Sequence, residues 1–99
     1  MAELIVLYWR DIPSQVIVRQ GRAAAKRALP KRFLEAIDAA AMRAGAAGTD
    51  AYLADWRRAE PEACGDDLEA EAEAAAARLD AAFDRARLAA LVQAGGRRV

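Results

Sequence analysis

The chain changes character at Gly21. Six of its nine isoleucines and valines fall between Leu4 and Val18, whereas 27 of its 28 alanines lie at or beyond Ala23. β-Branched side chains lose rotamer freedom in a helix and pack well on a pleated sheet. Alanine is the strongest helix former. A chain divided this way has to place a small β unit first and helices after it.

Within the β unit, "ELIVLYW" reads as a strand. Alternation puts Leu4, Val6 and Tyr8 on one face and Ile5, Leu7 and Trp9 on the other. Both faces are apolar, which predicts a central strand or one covered on both sides. "QVIVRQ" is a second strand, and "RDIPSQ" between them supplies turn residues. The pair is expected to form a hairpin with a four- or five-residue loop.

"GRAAAKRAL" has helix propensity but Leu29 is its one large apolar anchor, so it reads as a loop or a weak helix. Pro30 suits a first helical turn. The helix that follows carries Phe33, Leu34, Ile37, Ala40, Ala41 and Ala44 as its apolar stripe and stops at Gly45. Thr49 or Asp50 can cap a short helix bearing Tyr52, Leu53 and Trp56. In "WRRAEPEACG", Pro61 rules out a central strand and allows an edge strand. A helix end or a loop also fits residues 56–62.

The last element is read as one helix capped by Asp66, with Asp67, Glu69, Glu71 and Glu73 near its start and Arg85 and Arg87 near its end, matching the helix dipole. Its stripe is Leu68, Ala72, Ala75, Leu79, Phe83, Ala86 and Ala90. Leu88, Leu91 and Val92 lie off that stripe and widen the apolar surface, as a partner contact would. Residues 1–94 are expected to make a single domain and residues 95–99 a frayed tail. The expected class is α+β: an N-terminal hairpin with a possible third edge strand, and two main helices packed on one face of a small antiparallel sheet.

The available chemistry is narrow. There is no histidine or asparagine, one serine (Ser14), one threonine (Thr49) and one cysteine (Cys64). A Ser–His or Cys–His nucleophile lacks its base, a Cys/His zinc site is excluded by count, and no intrachain disulfide can form. No metal and no cofactor are expected. Glu69, Glu71 and Glu73 diverge around a helix and do not converge on an ion. Cys64 stands near a helix start, where a thiol pKa can fall, but the acids around it push the other way.

The charge balance is even, with 15 basic and 15 acidic residues, which argues against a dedicated nucleic-acid binder. One window stands out: Arg19, Arg22, Lys26, Arg27, Lys31 and Arg32 with no acid among them. It lacks the glycine pattern of a phosphate loop and the interleaved aromatics of a base-stacking surface. It fits an anion site, a face docking on an acidic protein, or a face paired with the acidic run 60–73. The apolar start is too short for a signal peptide and lacks a basic leader, and no run could span a membrane, so a cytoplasmic location is expected.

Three segments, "YWRDIPSQVIV", "AAMRAG…GTDAYLADWRR" and "CGDDLEAE", resemble the small bacterial "virulence factor" family, which is related to the terminal region of conserved virulence factor C. The likeness runs from Leu4 to about Phe83, and "YWRDIP" and "YLADWRR" are its specific parts. It implies no reaction and no catalytic residues. It also implies, as an alternative, an accessory role in folate- and corrinoid-dependent one-carbon metabolism.

The expected function is a non-catalytic domain that binds another protein, a second copy included. Tyr8, Trp9, Arg10, Asp11 and Trp56 form the expected contact patch, since aromatics beside arginine are common interface anchors. Binding of a phosphate or nucleic acid through residues 19–32 is the alternative.

Overall fold

The computed structural model describes residues 1–98. Five antiparallel strands form one sheet: β1 (Ala2–Trp9), β2 (Ile12–Gln20), β3 (Ala23–Ala28), β4 (Trp56–Arg58) and β5 (Glu62–Cys64). Four helices accompany them: α1 (Lys31–Arg43), α2 (Asp50–Ala54), α3 (Leu68–Ala82) and α4 (Arg85–Gln93). The strand order is β3-β2-β1-β4, and β5 also pairs with β1. The α+β class and the N-terminal hairpin are as expected.

The hairpin is tighter than its sequence suggests. Its two strands pair from Glu3 with Arg19 up to Trp9 with Ile12, with a register irregularity between Leu7 and Tyr8. Arg10 and Asp11 alone make the turn, and Arg10 adopts the left-handed region at φ 52°. Pro13 enters β2 at a point beyond the end of β3, where no neighbouring strand on that side needs its missing N–H.

The segment read as a loop or weak helix is β3. Gly21, at φ 60°, opens a two-residue turn, and Ala23–Ala28 pair along β2 from Gln20 back to Gln15. A single-anchor helix this short would not be stable in isolation. Pairing with β2 satisfies its backbone groups and buries Ala25 beside Val18. Residues 56–62 resolve into two edge strands, β4 and β5, separated at Ala59–Pro61. Both lie against β1, which makes β1 central as expected.

The C-terminal helix is two helices. Asp67, not Asp66, caps α3 by accepting from the Ala70 N–H. At the break, Asp84 caps α4 by accepting from the Arg87 N–H at 2.9 Å. The break turns Phe83 inward and reorients the rest, so that α4 packs Leu88 and Leu91 into the same core as α1. The apolar width read as a partner contact is therefore used within the chain, and Ala86 and Ala90 of the expected stripe are exposed. In α1, Phe33, Ala36, Ile37, Ala40 and Ala41 are buried, whereas Leu34 and Ala44 of its expected stripe face outward. Gly45, at φ 72°, follows the helix end.

Two clusters make the core. One lies between the sheet and α3: Ala2, Leu4, Val16, Val18 and Ala25 against Ala72 and Ala75, with the alanines permitting close approach. The other closes the hairpin-tip end of the sheet and gathers Trp9, Ile12, Leu29, Phe33, Ile37, Phe83, Leu88 and Leu91. Ala76 and Leu79 of α3 pack against both. Each fully buried side chain of this size contributes about 1.5–3 kcal/mol by leaving water.

Candidate binding cleft at the hairpin tip

The tip residues divide between two sides of the sheet. Trp9 is fully buried, so the structure removes it from the expected contact patch. Its indole N–H donates to the Tyr52 carbonyl at 2.8 Å, and the Tyr52 ring lies 5.7 Å away, centroid to centroid. The C-terminal turn also covers it: a Cβ added at Gly96 would meet Trp9 Cζ3 at 2.7 Å. Trp56, paired with Trp9 in the ladder, is half-buried and sets its ring edge-on to Tyr52 at 6.1 Å.

Arg10 is an internal tie. Its Nε donates to Asp55 Oδ2 at 2.9 Å and its Nη1 to the Gly95 carbonyl at 2.8 Å, with the guanidinium 4.7 Å from the Trp9 ring centroid. Asp11 makes a second tie. Its backbone N–H donates to the Gly96 carbonyl at 2.8 Å, and its Oδ2 accepts from the Arg98 N–H at 2.6 Å. Of the tail 95–99 expected to fray, residues 95–98 are thus held across the hairpin turn, and Val99 lies outside the described residues. The carbonyls at the end of α4 are met locally, Leu91 by the Gly96 N–H and Val92 by the Gly95 N–H, and both glycines are buried.

On the other side, Tyr8 opens into a cleft of about 340 Å³ lined by Tyr8, Asp11, Arg57, Ala59, Phe83, Arg87, Leu91 and Arg98. Tyr8, Ala59, Phe83 and Leu91 give it an apolar and aromatic floor. Three arginines and a single aspartate line it. Two of the three are laid on rings: Arg57 at 4.7 Å over Tyr8 and Arg87 at 3.9 Å over Phe83. Arg57 is further fixed by donating to the Arg10 carbonyl at 3.0 Å and to Asp11 Oδ1 at 3.2 Å. Arg87 donates to the Ala82 carbonyl at 3.1 Å. A guanidinium stacked and bonded this way is held as a flat fork, suited to a carboxylate or phosphate.

Of the five expected patch residues, only Tyr8 and Asp11 line this cleft. Arg57, Arg87 and Arg98 are the residues that sequence reasoning missed. Arg57 had a readable signal, because it follows Trp56 in "YLADWRR" and alternation sends neighbours to opposite faces. Arg87 had none, since its position depends on the break at Phe83.

The basic window of residues 19–32 does not converge, and none of its side chains lines the cleft. Arg19 pairs with Glu3 at 3.4 Å, Arg27 with Glu69, and Arg32 with Asp80 and the Phe83 carbonyl. Arg22, Lys26 and Lys31 are exposed. Cys64 ends β5, where partial burial first, then Glu71 and Asp66, push its thiol pKa up from 9.0. That holds it protonated near neutral pH and weakens it as a nucleophile. Among the described residues, no three Cys, Asp or Glu side chains gather as a metal site requires, and no helix is long and apolar enough to cross a membrane.

The family described as "Virulence factor" matches residues 7–92. The chain belongs to the virulence factor family. The match extends past Phe83 across α4, so this family domain includes every cleft residue except Arg98. No curated protein and no solved structure matches the chain.

Proposed function

We propose that this virulence factor family domain is a non-catalytic protein-interaction module, and that the hairpin-tip cleft receives an acidic segment of a partner protein. The observation that carries the reading is the cleft's make-up: three arginines against one aspartate, over apolar and aromatic residues. Ring-stacked arginines lose little conformational freedom when an acidic side chain arrives, so the charge-assisted bonds are gained at low entropic cost. The floor supplies apolar contact around them, the usual make-up of an interface anchor. The cleft lining holds no serine, cysteine or histidine, and its one carboxylate, Asp11, is engaged by Arg57 and by the Arg98 N–H, which supports binding over catalysis.

The test is co-purification from native cells with the wild-type chain, Arg87→Glu, Arg57→Gln and a control, Arg85→Glu, at an exposed residue outside the cleft lining. Arg87→Glu is the primary variant, because the one bond of its side chain is to the Ala82 carbonyl. The expected result is a partner recovered with wild type and with Arg85→Glu, and depleted at least about tenfold with Arg87→Glu, about 1.4 kcal/mol of binding. Equal recovery by an Arg87→Glu protein with a native circular dichroism spectrum would remove the cleft as the contact.

A further inference from the structure

The basic window that fails to form a pocket does form a sheet edge. β3 pairs with β2 on one side and is the outermost strand on the other. Gln20 and Ala23 close the two-residue turn, and antiparallel bonding alternates from that pair outward. Ala24, Lys26 and Ala28 therefore direct their N–H and C=O groups away from β2. Of these groups, the Lys26 carbonyl accepts one bond, from Arg27 Nη1 at 3.0 Å. The opposite edge of the sheet is short and interrupted around Pro61, whereas β3 offers six consecutive residues. Four of those six are alanines, so no bulky side chain keeps another backbone at a distance.

Charge decides the occupant. Arg22, Lys26 and Lys31 are exposed and make no ion pair among the described residues, whereas Arg19 and Arg27 are engaged by Glu3 and Glu69. Natural edges are often blunted with lysine to prevent pairing with a like strand. A second copy of this chain, laid antiparallel on β3, would bring these cations against their own counterparts, and like charges across a ladder are destabilising. An acidic strand meets the opposite condition, with backbone bonds supplying affinity and the flanking cations selecting for acids. We infer that β3 accepts an extended, acidic segment of a partner protein as an added sheet strand, at a site separate from the hairpin-tip cleft.

The probe is a short synthetic peptide alternating glutamate with valine or threonine, added to the ¹⁵N-labelled full chain. Binding should shift the amide signals of Ala23–Ala28 and slow solvent exchange at the Ala24 and Lys26 N–H groups about tenfold, since both gain acceptors. The same peptide with lysine for glutamate should leave them unchanged. Ala24→Pro removes one outward N–H while leaving the β2 ladder whole, and should abolish binding in a protein whose spectrum remains dispersed. Three results would overturn the inference: no shift in β3 at millimolar peptide, equal protection by the lysine peptide, or shifts confined to cleft amides such as those of Arg57 and Arg87. Lys26→Glu gives a second check that does not touch the backbone, and it should weaken the acidic peptide and admit the lysine one.

Discussion

Trp9 and Gly96 hold each other in place at the level of single atoms. The glycine stands at φ 92°, a conformation costly to any residue with a side chain, and a Cβ there would collide with the indole at 2.7 Å. Gly96→Ala should therefore destabilise the fold by about 1–3 kcal/mol through overpacking alone, with backbone strain added, read as a lower urea midpoint at unchanged slope. Trp9→Ala removes the largest buried side chain of the tip cluster and should cost about 3–5 kcal/mol, a large share of what a domain of this size has. Cys64 gives a prediction in pH. Its folded-state pKa is raised, so the protonated thiol is favoured in the folded chain. The contribution to stability is complete below the unfolded value of 9.0 and is lost as pH climbs through the higher folded value. Alkylation by iodoacetamide should accordingly be slower than for an unstructured cysteine at neutral pH, and its rise with pH should level off only above 9.0. Glu71→Gln, which removes one of the charges raising that pKa, should shift the rise downward.

At the scale of elements, the break between α3 and α4 is the feature on which the cleft depends. Asp84 is what makes it locally stable, since its side chain takes the Arg87 N–H that a continuous helix would have bonded to Phe83. Asp84→Ala should cost about 0.5–2 kcal/mol as the loss of a cap, seen as a fall in Tm, and should loosen Arg87 over Phe83. How much of this was legible follows from whether an element is fixed by its own residues. β1 and β2 are, because strand-forming side chains alternate on both faces of "ELIVLYW" and "QVIVRQ". α1 is too, through Phe33 and Ile37 at helical spacing, whereas Thr49 precedes α2 without capping it and donates its hydroxyl to the Ala46 carbonyl. β3 is not: Ala23–Ala28 favour a helix on their own and become a strand because β2 offers an unpaired edge and α3 a surface for Ala25. The break at Phe83 is hidden for a related reason. Leu79, Phe83, Ala86 and Ala90 keep helical spacing, and only the packing of Leu88 and Leu91 against α1 requires a new direction. The candidate site inherits the second difficulty through Phe83 and Arg87, and Tyr8 and Asp11 were readable because they belong to the locally fixed hairpin.

Across the whole molecule, the hairpin turn and the C-terminal residues meet at one place. Arg10 binds the Gly95 carbonyl, Asp11 binds the Gly96 carbonyl and the Arg98 N–H, and Arg97 stands 3.9 Å from Asp55, which already holds Arg10. Arg10 is left-handed at φ 52°, a strain of about 1–2 kcal/mol that persists because these bonds over-determine it. The same closure roofs Trp9 on one side and contributes Arg98 to the cleft on the other, so stability and the proposed binding surface share a structural cause. A chain ending at Ala94 separates them. It keeps all nine elements of secondary structure but strips the roof from Trp9 and leaves Asp11 with Arg57 alone. Its tryptophan emission should move to longer wavelength in the folded state as the indole meets water. Its unfolding midpoint should fall by the equivalent of about 2–4 kcal/mol, a few lost bonds at about 1 kcal/mol each plus the exposed ring. Arg10→Ala in the full-length chain should reproduce a good part of that loss, and adding it to the shortened chain should cost little more, since both act on one set of bonds. Additive losses would mean that the tail and the hairpin turn are stabilised separately, and that the closure seen between them does not act as a unit.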